Sequence, residues 1–131
     1  MYHSICEHIG KEKHNKWRVK PKDFEKQMKW FYDNKWNSFT ISELIKLDEI
    51  PKKSFLVTFD DGYEDNFINA FPILKKYNFK ATIYLVPNQS INHWEEKNTS
   101  VLSNLLNNEQ ILQMQNTGLI EFGSHTLSHV N

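Results

Sequence analysis

At 131 residues with 39% hydrophobic content, the chain has the size of one globular domain and enough apolar material to bury a core. Its 16 basic residues balance 16 acidic ones, which leaves no basic field for nucleic acid and no polybasic patch for a membrane surface. The longest apolar stretches run to about six residues against the roughly 20 that cross a bilayer, so no integral membrane segment is expected.

The opening, MYHSICEHIG, lacks the charged-then-apolar layout of a signal peptide, and its Cys6, the only cysteine, reads as a small buried side chain. Pro21 can occupy a first helical position, and Phe24, Met28 and Phe31 recur at the spacing of one helix face, which predicts an amphipathic helix over 21–34. A brief extended piece at Phe39–Ile41 and a short helix at Glu43–Leu47 follow, closed by Pro51. Residues 54–59 form a continuous apolar and β-branched run, as in a strand covered on both faces. Phe67, Ala70, Phe71 and Leu74 then have helical spacing, with Pro72 implying a kink or a late start. ATIYLV at 81–86 is a second buried strand. The Asn- and Ser-rich stretch 87–107, which carries Trp94, is long enough to be a functional loop. Asn108 is expected to cap a helix ending at Gly118, and 119–122 begins a third strand. The order β-α-β-loop-α-β asks for a parallel α/β sheet with right-handed crossovers.

Reactive groups in such folds lie on the loops that leave the carboxyl ends of the strands. Both charged motifs fall there: Asp60 and Asp61 in TFDDG after the first buried strand, and His125 and His129 in GSHTLSH after the third. Adjacent carboxylates repel unless one is protonated, both are solvated, or a cation lies between them. Two histidines four apart share one face of a helical turn, and with one carboxylate they make three protein ligands with room for water, an open metal site. Gly62 permits the strand to break so that both carboxylates turn inward. From spacing alone, either aspartate could bind the metal.

TFDDGY, NAFPILKKY, KATIYLV and IEFGSHTLSH resemble, in order and spacing, the polysaccharide deacetylases of the NodB-like carbohydrate esterase class. The resemblance covers nearly the whole chain. It implies the N-terminal part of a distorted (β/α) barrel, with residues 1–131 forming a partial domain. It also implies that Asp60 is the catalytic base and that Asp61, His125 and His129 hold a divalent metal, usually zinc. The implied reaction is hydrolytic N-deacetylation of an acetylated amino-sugar polymer or oligomer by metal-activated water, releasing acetate. An extracytoplasmic or cell-envelope location goes with that substrate.

Relatives of this kind carry, after the histidine motif, an Arg-x-x-Pro-Tyr stretch, an acidic and aromatic element, and a Leu-x-His that supplies the general acid. Only Val130 and Asn131 follow His129 here, so the chain reads as a truncated fragment, expected to be inactive by itself. Arg18 in Arg-x-x-Pro reads as a helix start, and Leu127-Ser128-His129 offers a histidine already used as a ligand. Two other readings compete: a phospho-receiver module, which has no use for His-x-x-x-His, and a non-catalytic carbohydrate- or metal-binding remnant of the deacetylase fold. Among the remaining candidates, His3 reads as structural, and His8, His14 and His93 as surface residues. Asp65 reads as the cap of the helix entering at Asn66, and Glu121 as facing solvent. Trp94 could stack on a sugar, with Trp17, Trp30 and Trp36 as packing groups.

Overall fold

The computed structural model describes residues 1–127, so the predicted ligand His129 lies outside the described residues. Along the chain run α1 (Pro21–Asp33), β1 (Asn37–Phe39), α2 (Ile41–Leu44), β2 (Ser54–Leu56), β3 (Thr58–Phe59), α3 (Phe71–Tyr77), β4 (Ala81–Leu85), α4 (Asn108–Gln115) and β5 (Ile120–Ser124). Among the described residues the named strands pair in parallel: β1 with β2, and β3-β4-β5 in that order. The N-terminal segment lies along β3, where Tyr2 N–H donates to the Thr58 carbonyl at 2.8 Å and Asp60 N–H donates to the Tyr2 carbonyl at 2.9 Å. The chain is a parallel α/β fold, as expected.

Local chemistry sets the element ends, and in several places shifts them. Pro21 starts α1, which buries Phe24 and Met28. The second helix begins at Ile41 rather than Glu43, because Thr40 Oγ1 accepts from Glu43 N–H at 3.2 Å while the Glu43 carboxylate accepts from Thr40 N–H at 3.0 Å. This reciprocal cap satisfies two otherwise orphaned donors. The run 54–59 is not one strand covered on both faces. It divides at Val57, since β2 pairs only with the short β1 and β3 pairs with β4, and Leu56 is left 38% exposed. Pro72 sits in the first turn of α3, after a wider turn over Asn66–Ala70, so the late start holds. The cap of α4 is Asn107 rather than Asn108: its Oδ1 accepts from Gln110 N–H at 2.9 Å, and Gln110 Oε1 accepts from Asn107 N–H at 3.0 Å.

Ile5, Phe24, Phe59, Leu74, Ile83 and Met114 form the centre of one core between the helices and the β3-β4-β5 sheet. Each such side chain contributes about 1.5–3 kcal/mol by leaving water, and together they hold the carboxyl ends of the three strands side by side. Asp65 stands at the N-cap position before Asn66, but its side chain makes no capping hydrogen bond there. Its Oδ1 accepts from Ile5 N–H at 2.8 Å and its Oδ2 from the Ser4 hydroxyl at 2.5 Å, which ties the N-terminal segment to the loop after β3. Burial pushes its carboxyl above the usual range, against the pull of those hydrogen bonds. Cys6 is half-buried, with Sγ 3.0 Å from Ser4 Oγ. Glu121 is also half-buried and accepts from Ser42 N–H at 3.2 Å. Among the described residues no helix is long and apolar enough to cross a membrane.

Candidate active site

The break that admits both carboxylates is visible in the backbone. Asp61 has φ 71° and Gly62 φ 69°, two successive left-handed residues immediately after Asp60. Aspartate tolerates this region better than most residues, and held there it marks a conformation imposed by its surroundings. At Gly62 a Cβ would lie 2.6 Å from Leu85 Cδ2. Gly62→Ala combines that clash with a disfavoured φ and is expected to destabilise the fold by about 1–3 kcal/mol, read as a lowered midpoint in urea denaturation.

At the carboxyl end of β5, His125 is anchored by its N–H, which donates to the Leu85 carbonyl at 2.7 Å. Its Nε2 stands 3.3 Å from Asp61 Oδ1, the carboxylate almost wholly buried and the ring about one-third exposed. Two ligands each about 2.0–2.1 Å from one tetrahedral ion lie about 3.3–3.4 Å apart, so this carboxylate–imidazole pair fits a shared divalent cation. Among the described residues there is no group of three or more metal-binding side chains. The described residues therefore bring together two of the three predicted ligands, with the predicted base next to them in the chain.

Asp60 faces a cleft of about 560 Å³ that Asp61 and His125 also line. His3, read from sequence as structural, stands in the same cleft with Nε2 3.9 Å from Asp60 Oδ2. The register explains it. Tyr2 pairs with Phe59, so the next residue on each strand, His3 and Asp60, come level. Trp17 is a wall of the cleft rather than a packing group; it is 37% exposed, with its ring 4.6 Å from that of His3. His14 is not a surface residue. It is 1% exposed, and Nδ1 lies 3.3 Å from Glu95 Oε2, which joins the turn Lys13–Trp17 to the loop that carries Trp94. That loop is fastened further by Asn92, whose Nδ2 donates to the Tyr63 hydroxyl at 3.3 Å and whose Oδ1 accepts from Ser103 N–H at 2.6 Å. Burial, reinforced by the nearby Asp61 charge, pushes the Tyr63 phenol well above its ordinary value and keeps it neutral. Trp94 lines the cleft.

Comparison with known proteins gives the same reading of the family and the fold. The family model for polysaccharide deacetylase matches residues 48–131. YxkH of Bacillus subtilis, whose name places it among the polysaccharide deacetylases, is 40% identical over 134 residues that cover 99% of this chain and 42% of its own length. The poly-β-1,6-N-acetyl-D-glucosamine N-deacetylase of Staphylococcus epidermidis is 36% identical over 120 residues, covering 89% of this chain and 40% of its own. The crystal structure of a polysaccharide deacetylase from Bacillus cereus superposes with a TM-score of 0.76 at 28% identity, over 98% of this chain and 38% of that one. The chain thus spans well under half the length of these relatives. It belongs to the polysaccharide deacetylase family.

Proposed function

We propose that the chain supplies the base and the metal-binding half of a site for hydrolytic N-deacetylation of an N-acetylated amino-sugar polymer or oligomer. Asp60 is the base, and Asp61, His125 and His129 are the ligands of a divalent cation, zinc fitting the donor set best. The observation that carries this reading is the 3.3 Å approach of Asp61 to His125, with Asp60 the adjacent residue. A divalent cation held there supplies Lewis acidity, polarising a carbonyl and lowering the pKa of water toward about 7.

The rest of the chemistry falls to the chain's own groups. Asp60, in the open cleft, accepts the proton that water loses as its oxygen bonds to the acetamide carbon. His3 Nε2, 3.9 Å away, stands within ion-pair reach of the Asp60 carboxylate. When the carbon–nitrogen bond breaks, the nitrogen takes up a proton and leaves as the free amine, and acetate remains. Trp17 and Trp94 offer the apolar faces that sugar rings pack against. The substrate class follows the name of the Staphylococcus epidermidis relative, whose polymer is an N-acetylated glucosamine. A polymer of that kind goes with an extracytoplasmic site of action.

The test is acetate release from an N-acetylated β-1,6-linked glucosamine polymer, before and after chelation. The proposal expects release that chelation lowers by at least about 100-fold and zinc restores. Turnover by these 131 residues alone is expected to fall at least about 100-fold below that of a protein that also carries a general acid. Release that survives chelation unchanged would contradict the metal-dependent reading. Zinc binding with no release from any protein carrying this segment would favour a non-catalytic binding role instead.

A further inference from the structure

Asp61 and Gly62 also line a second groove, of about 490 Å³, which shares Asp61 with the Asp60 cleft. Both volumes fall within the range of small-ligand sites, about 300–1,000 Å³. The groove is floored by Leu85, Leu106 and Ile111 and rimmed by Asn88, Gln89 and Asn108. These three amide side chains make no hydrogen bond to any described residue. Apart from Asp61, no charged side chain is among the described residues that line it. That separates it from the first cleft, whose walls carry His3, His14, Lys16 and Glu95.

The chemistry of this lining selects among the units of an amino-sugar polymer. An acetamide is neutral and presents one N–H donor and one carbonyl acceptor, which primary amides on Asn and Gln can match from both sides. Its methyl group and the C–H faces of the ring suit the leucine and isoleucine floor. A de-N-acetylated unit brings an ammonium into the same place, and a charge taken from water without a partner is costly. Asp61 is the one carboxylate within reach, and on the proposed reading its charge is engaged by the cation.

Building on the proposed deacetylase function, we propose that this groove is a second sugar subsite that reads the acetylation of a neighbouring residue, accepting an N-acetylated unit and disfavouring a de-N-acetylated one. Deacetylation then proceeds preferentially beside acetylated units, and a residue next to a free amine is a poor substrate.

The experiment measures binding to the zinc-loaded Asp60→Asn protein, in which the cation stays on Asp61 and the base is absent, by NMR titration, with the fully acetylated β-1,6-linked glucosamine tetramer and the same tetramer bearing only free amines. The acetylated tetramer is expected to bind at least about tenfold more tightly and to shift the amide signals of residues 85–90 and 105–108. Replacing the rim with Asn88→Gly, Gln89→Ala and Asn108→Ala should weaken the acetylated tetramer about tenfold or more, each amide contributing a factor of a few. Glycine at 88 keeps the left-handed backbone there, φ 60°, without strain. Equal or tighter binding of the free-amine tetramer would overturn the proposal. So would an unchanged affinity in the triple variant, or no binding of either tetramer. Zinc affinity of the same triple variant, expected to be unchanged, reports separately on the Asp61–His125 site, so that failure of the groove and failure of the metal site are told apart.

Discussion

Asp60→Asn is expected to lower acetate release by roughly 10²–10⁴ while zinc still binds with full stoichiometry, the loss usual for removing a general base. The substitution keeps the side chain's size and removes its capacity to take a proton. The backbone around it does not depend on the carboxylate, because Asp60 N–H is fixed to the Tyr2 carbonyl at 2.9 Å. Asp61→Asn should do the opposite and lose metal first, since Asp61 is the buried carboxylate that faces His125. Metal analysis and rates measured on both variants separate the roles, and the reverse pattern would mean that the two aspartates exchange functions.

His125→Ala is expected to weaken zinc by more than about 100-fold, because altering a partner that merely orients a ligand already costs 10–100-fold. His125 N–H still donates to the Leu85 carbonyl when the ring is removed, so β5 should keep its place and the loss should report on the ring alone. A His125→Ala, His129→Ala double variant should show no calorimetric signal for zinc. Binding unchanged in that double variant would remove both histidines from the ligand set.

The parts of the fold that were legible in the sequence are those governed by local pattern. Phe24 and Met28 at helical spacing, Ala81–Leu85 as an unbroken β-branched and apolar run, and Pro72 at a helix start all carry their structure in their neighbours. Asp60, Asp61 and His125 were legible because strand ends of a parallel sheet converge, and two motifs at such ends must meet. What escaped depended on long-range register. His3 reaches Asp60 because Tyr2 pairs with Phe59, and His14 is buried beside Tyr63 and Glu95, both distant in the sequence. Nothing within a few residues of either histidine announces this. Asp65 reads locally as a helix cap for the same reason, since its partners Ser4 and Ile5 lie some sixty positions earlier in the chain. The run around Leu56 reads as covered on both faces because an apolar run does not reveal that β1, its partner, is three residues long.

The most direct test of the metal site is anomalous diffraction at the zinc absorption edge, from crystals of the protein grown with zinc. One strong peak is expected, about 2.0–2.1 Å from a carboxylate oxygen of Asp61 and from ring nitrogens of His125 and His129, with Asp60 outside the coordination sphere. A peak held by other side chains, or one that includes Asp60 and leaves Asp61 unbound, would contradict the assignment of base and ligands on which the proposed chemistry rests.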